Sequence, residues 1–105
     1  MEMQTLTFDV RGMTERQAYH YVESFRLGMS EFDGLAQHAR ARRSVSGEWV
    51  IFCAWKDARA VGEFRHSETY ARFALSPNVV GLHDHLETVS PAASDEEQVL
   101  STAAA

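Results

Sequence analysis

The stretch Glu48–Phe73, EWVIFCAWKDARAVGEFRHSETYARF, decides the fold. It opens on Trp49-Val-Ile-Phe-Cys-Ala-Trp55, apolar on both alternating faces: Trp49, Ile51, Cys53 and Trp55 point one way, Val50, Phe52 and Ala54 the other. A strand of this kind is covered on both sides and belongs in the middle of a sheet. Lys56 ends the run, and the Asp57 carboxylate can cap a helix whose first amides lack partners. Ala60, Val61, Phe64 and Ala71 give that helix its buried stripe, and Ser67 stands where it can be interrupted and capped again.

Working outward toward the N-terminus, Ser46-Gly47 makes a hairpin back to Leu35–Ser44. There Ala39 and Ala41 oppose His38, Arg40 and Arg42, and the basic side chains mark an edge strand. Asp33-Gly34 is a turn. Before it, Ala18, Val22, Phe25, Met29 and Phe32 form one helical seam, opened by a capping box of Thr14 and Gln17. Gly28 weakens that helix by about 1 kcal/mol relative to Ala, which points to close packing or an early end. Gln4–Arg11 alternates, with Leu6, Phe8 and Val10 on one face.

Toward the C-terminus, Ser76-Pro77-Asn78 closes the helical run. Val79–Val89 then alternates Leu82, Asp84 and Leu86 with His83, His85 and Glu87. From Pro91 the Ala- and Ser-rich sequence has no periodicity, so residues 1–90 are expected to form the domain and 91–105 a disordered tail. Six elements in the order βαββαβ fit the α+β, ferredoxin-like antiparallel sheet, with strands one and three central and both helices on one face. The other face needs a cover, and a second copy of the same sheet predicts a homodimer.

Composition bounds the function. A chain of 105 residues is one small domain. Asp95, Glu96 and Glu97 carry three of its five net negative charges, leaving two for residues 1–94. That is no footprint for nucleic acid, and Arg40, Arg42 and Arg43 read as a solvated edge. Cys53 is the single cysteine, so no intrachain disulfide forms. Met1–Leu6 has no signal-peptide pattern and no run approaches the ~20 apolar residues of a membrane span, so a soluble cytoplasmic protein is expected.

The spacing Trp55-x4-Ala60-Val61-x2-Phe64-x2-Ser67-x2-Tyr70, with Asp33-Gly34 in Phe32-Asp-Gly-Leu, resembles the antibiotic biosynthesis monooxygenase-like (ABM) family of dimeric α/β barrels. The resemblance spans roughly residues 4–89 and implies two sheets paired face to face, with a pocket between sheet and helices beside Trp55. Its members include cofactor-independent oxygenases of aromatic polyketides, quinol monooxygenases and haem-degrading enzymes. The haem-degrading pattern is absent: Phe64 and Ala74 stand at its helix Trp and His, and Gln4–Arg11 contains no Asn. Many quinol-oxidising relatives carry His where this chain has Phe64 or Tyr70.

The resemblance implies a cofactor-independent monooxygenase that oxidises an aromatic polyketide or quinol-type intermediate, with molecular oxygen as co-substrate. Two alternatives are a polyketide cyclase of related barrel fold and a non-catalytic ligand-binding or accessory protein. No dinucleotide or phosphate-binding glycine loop and no cysteine cluster is present, so no bound cofactor is expected. Such oxygenation needs a base, an apolar slot for flat rings and donors for reduced oxygen. Trp55, His66 and Tyr70 are the leading catalytic candidates, with His20, His83 and His85 behind them. Tyr21, Trp49, Phe64 and Phe73 are the candidate substrate-binding residues. His83-x-His85 has a chelating spacing but needs a third ligand; His38 lies on the opposite edge, so no metal is expected there.

Overall fold

All the expected elements form, and the second helix divides in two. The computed structural model describes residues 1–89, which run β1 (Glu2–Val10), α1 (Glu15–Met29), β2 (Leu35–Arg43), β3 (Trp49–Trp55), α2 (Ala58–Arg65), α3 (Glu68–Ala74) and β4 (Val79–Thr88). The sheet order is β2-β3-β1-β4, with each neighbouring pair antiparallel. β1 and β3 are therefore central, and the charged β2 is an edge. Residues 91–105, expected to form a tail, lie outside the described residues.

Local chemistry explains the boundaries. Thr14 and Gln17 close the capping box on α1, and the Asp57 carboxylate accepts the Ala60 amide at 2.8 Å to start α2. α2 stops at His66, and Ser67 caps α3 by accepting the Tyr70 amide. α1 ends at Met29, so Phe32 lies beyond the helix yet still packs edge-on to Trp55 and Phe64. Gly34 permits the turn before β2 to press on α2: a Cβ there would lie 2.3 Å from the Ala60 Cβ. Gly47, at φ +94°, takes the left-handed position of the β2–β3 hairpin.

The core lies between the sheet and the three helices. Leu6, Phe8, Trp49, Ile51, Cys53 and Trp55 face Val22, Phe25, Met29, Phe64 and Phe73. Phe25 and Phe73 stack at 3.9 Å, and Phe64 stacks on Trp55 at 4.9 Å. Trp49, Ile51, Cys53 and Trp55 share the helix-covered face, as alternation requires.

The opposite face is less bare than its apolar run suggests. Val50 and Ala54 are already buried within the single chain, while Phe52 is 38 % exposed. The reason is reach: the Arg42 guanidinium lies 5.3 Å over the Phe52 ring, and Gln37, His38 and Arg40 gather around Ala54. Long side chains from the edge strand supply part of the cover that the sequence reading assigned to a second sheet. Among the described residues, no helix is long and apolar enough to cross a membrane.

Candidate functional site

A chain of polar side chains crosses the buried layer at the Trp55 end of the sheet. β1 pairs with β3 and β4 so that Gln4 lies opposite both Cys53 and Leu86, two pairs along from Leu6 and Asp84 and so on the same face. Gln4, Trp55 and Asp84 thus face the helices together. The Trp55 indole N–H donates to Gln4 Oε1 at 2.8 Å, and the Cys53 thiol donates to the same oxygen at 3.4 Å. Those donors fix the amide's orientation, leaving Gln4 Nε2 to donate to Asp84 Oδ1 at 2.9 Å.

Asp84 is the hub. Arg65 on α2 grips it with two nitrogens, Nη2 to Oδ1 at 2.8 Å and Nε to Oδ2 at 3.0 Å. Tyr70 on α3 donates its hydroxyl to Oδ2 at 2.7 Å. Two helices and two strands therefore converge on one carboxylate, whose side chain is only 16 % exposed against 34 % for Arg65.

The electrostatics follow from these contacts. Burial pushes Asp84 upward, but the bonds from Arg65, Gln4 and Tyr70, with the Arg65 charge, outweigh it and hold the carboxyl below its ordinary value. Burial, then the bond to Asp84, raises the Tyr70 phenol well above its usual range, so Tyr70 stays a proton donor. Burial pushes the Cys53 thiol up to about 12. The array holds one anion, one cation and neutral donors.

The expected site residues scatter relative to this array. Trp55 and Tyr70 belong to it, and Phe64 forms its apolar floor by stacking on Trp55. His66 turns away: it is exposed and its Nδ1 lies 2.7 Å from the Gly62 carbonyl oxygen of its own helix. His20 is exposed on α1, and His83 and His85 are exposed on the face of β4 remote from the helices. Trp49 shares the face of Trp55 but sits at the far end of β3, about 20 Å along a strand rising 3.3–3.4 Å per residue. The two indoles do not line one pocket. Among the described residues no cluster of three His, Cys, Asp or Glu is arranged to hold a metal ion.

The open cavity expected beside Trp55 is closed, because Trp55, Phe64 and Gln4 interlock with essentially no exposure. Tyr21 and Phe73 instead line a groove of about 760 Å³ between α1 and α3, on the outer side of the aromatic layer. Sequence reasoning missed Gln4, Arg65 and Asp84 as site residues. A signal existed for two of them: each is a polar residue in phase with an apolar stripe, Gln4 with Leu6 and Phe8, Asp84 with Leu82 and Leu86. Arg65 had none, since an arginine near a helix end reads as solvated.

No family model and no curated protein matches the sequence. Solved structures do match the fold. A crystal structure of an antibiotic biosynthesis monooxygenase superposes with a TM-score of 0.70 at 10 % identity, over 87 % of this chain and 100 % of that one. SnoaB, a cofactor-independent oxygenase from Streptomyces nogalater, gives 0.69 at 13 % identity, over 84 % and 91 %. Rv0793 from Mycobacterium tuberculosis gives 0.65 at 17 % identity, over 86 % and 93 %. At such identities the likeness establishes architecture and no more. The chain has the α+β, ferredoxin-like fold of the antibiotic biosynthesis monooxygenase structures.

Proposed function

We propose that this protein is a cofactor-independent monooxygenase that oxidises an aromatic polyketide or quinol-type substrate at the Asp84 array. The observation that carries the reading is the carboxylate held between Arg65, Tyr70 and Gln4 against an aromatic layer. It supplies a proton acceptor, a cation for a nascent organic anion and a phenolic donor within one hydrogen-bonded cluster. The fold it shares with SnoaB supports the class of chemistry.

In this reading an anthrone or quinol approaches from the partly exposed side of the array, where Arg65 and Tyr70 reach the surface, and presents its acidic proton to Asp84 in place of the Tyr70 hydroxyl. The ordinary values of a phenol and a carboxyl, about 10 and about 3.9, already make that transfer uphill by roughly 8 kcal/mol, and the lowered Asp84 carboxyl adds to it. A turnover of about 10 per second corresponds to a total barrier of about 16 kcal/mol, so the step fits within it. Arg65 narrows the gap by swinging from Asp84 to the new anion, which raises the acid and lowers the substrate together. The substrate anion then passes one electron to dioxygen, and superoxide and the organic radical combine to a peroxide anion. Asp84 returns the proton. Loss of water across the C–H and O–O bonds converts the anthrone methylene, or the attacked ring C–H of the quinol, to a carbonyl, so one substrate and one dioxygen give one ketone and one water.

The reading includes a homodimer with the Phe52-bearing faces of two sheets in contact, supported by exposed Phe52 and Met3 on that face. The test is oxygen uptake with an anthrone and a naphthoquinol, followed by identification of the product. Stoichiometric uptake lost in Asp84→Asn supports the proposal. Ring closure without uptake favours a cyclase, and saturable binding without turnover favours a ligand-binding protein.

A further inference from the structure

Trp49, at the end of β3 remote from Asp84, is 3 % exposed, and its indole Nε1 is buried without a hydrogen-bond partner among the described residues. A buried donor left unpaired is costly, and such groups in native structures call for an acceptor. The same indole lines a cavity of about 590 Å³ between α1 and the β2–β3 edge, within the size range of small-molecule sites.

The surroundings specify the kind of acceptor. Tyr19 meets Trp49 edge-to-face at 4.7 Å, and the Arg43 guanidinium stands 5.0 Å from the Trp49 ring and 5.9 Å from that of Tyr19. Two carboxylates in this corner are already engaged, Glu15 by Arg43 and Glu23 by Arg26. Arg16, which also lines the cavity, enters no ion pair among the described residues. The corner therefore combines flat aromatic walls, an uncompensated cation and an unmet N–H donor.

We infer that this cavity binds a small planar anion, an aromatic carboxylate, whose ring lies along Tyr19 while its carboxylate meets Arg16 and, as a shift of the Tyr19 or Arg43 side chain uncovers the indole, accepts the Trp49 N–H. Cation, ring and donor are each complementary to one part of such a ligand. The site is separate from the Asp84 array by the length of β3 and does not depend on the proposed oxygenase activity.

The probe is 2-naphthoate, titrated into the full chain while the two indole N–H resonances are followed by NMR. The Trp49 signal should move saturably and that of Trp55, whose donor is already taken, should not. Methyl 2-naphthoate, which lacks the charge, should bind at least about tenfold more weakly. Arg16→Gln and Trp49→Phe should each weaken naphthoate by about tenfold, the size expected for one bond to a charged group. Amide dispersion checks that both variants fold, and Arg16→Gln alters only an exposed residue. The inference is overturned by unchanged Trp49 chemical shifts, by equal binding of the ester, or by unaltered affinity in Arg16→Gln. It is also overturned if the Trp49 signal responds only to neutralising Asp95, Glu96 and Glu97, which would make the chain's own acidic segment the acceptor.

Discussion

Trp55 and Gln4 are joined by a 2.8 Å hydrogen bond across the two central strands, and the indole's only donor is thereby committed to the protein. This changes what Trp55 can do. It positions the amide that in turn bonds Asp84, and does not present a free N–H to a ligand. Trp55→Phe keeps the stacking on Phe64 and removes one bond, so it should cost about 1–2 kcal/mol in urea unfolding. Gln4→Leu leaves the buried indole donor without a partner and takes one of two donors from Asp84 Oδ1, which keeps Arg65, and should cost roughly 2–4 kcal/mol. Should Gln4→Leu prove the milder of the two, Gln4 is not the connection between Trp55 and Asp84.

The Asp84 carboxyl should give stability a defined acid dependence. Its folded value lies below the unfolded one, so its contribution is complete above the unfolded value near 3.9 and is lost as pH falls through the folded value. Asp84→Asn should therefore flatten stability against pH below about 4. At neutral pH it should cost about 2–4 kcal/mol, somewhat under the 3–5 of a fully buried pair because Arg65 is about a third exposed. Chemical denaturation of both proteins from pH 3 to pH 7 measures this. Parallel pH profiles would remove Asp84 as the hub of the buried charge.

The architecture was legible because its signals are local and redundant. Trp49–Trp55 announced a central strand by its apolar run, the arginines of Leu35–Arg43 announced an edge, and Asp57 and Ser67 announced two helix starts. The candidate array at Asp84 was legible only in part. Trp55 and Tyr70 stood out as large polar-tipped aromatics, whereas Gln4 and Asp84 are 80 positions apart and gain meaning only when β1 and β4 pair in register. His66 drew attention through its chemistry, yet its direction was fixed by the stop of α2, where its ring turns back to the Gly62 carbonyl. Residue type signals what a side chain can do; which side of a short helix it occupies depends on tertiary packing.

Cys53 should be inert while the protein is folded. Burial holds its thiol up to about 12, so the reactive thiolate is scarce at pH 8 and the sulfur is shielded. A thiol-specific reagent at pH 8 should modify less than about a tenth of the protein in the time that fully labels it in denaturant. Because the folded value is raised, stability should also decline as pH rises from about 8.5, where the unfolded thiol ionises, toward 12. Rapid native labelling would contradict both statements.

Gly34 should resist even the smallest side chain. Its missing Cβ is the space into which Ala60 fits, since the added atom would approach the Ala60 Cβ to 2.3 Å. Gly34→Ala should destabilise by about 1–3 kcal/mol through overpacking. Removing the opposing methyl should relieve it, so Gly34→Ala with Ala60→Gly should recover stability beyond the sum of the single changes. Additive losses in that cycle would place the strain elsewhere.

The last expectation concerns the sheet face that the helices leave open. Phe52 and Met3 are 38 % and 37 % exposed there in the single chain, while Val50 and Ala54 are already covered. The apolar surface left for a second copy is therefore centred on Phe52, with Arg42 lying over its ring. A standard interface hides about 800 Å² per partner, and its energy concentrates in a few central, fully desolvated side chains. In the proposed dimer Phe52 would occupy that place. Phe52→Lys sets a second positive charge beside Arg42 and repeats it in the facing copy, so the dimer should dissociate by at least tenfold in Kd. The monomer should stay folded, because Phe52 contributes nothing to the helix-covered core. Sedimentation at micromolar concentration should show a dimer for the unaltered chain and a monomer for the variant, with similar far-UV circular dichroism. An unaltered chain that sediments as a monomer would sink the face-to-face arrangement outright. A dimeric Phe52→Lys would place the contact on another surface.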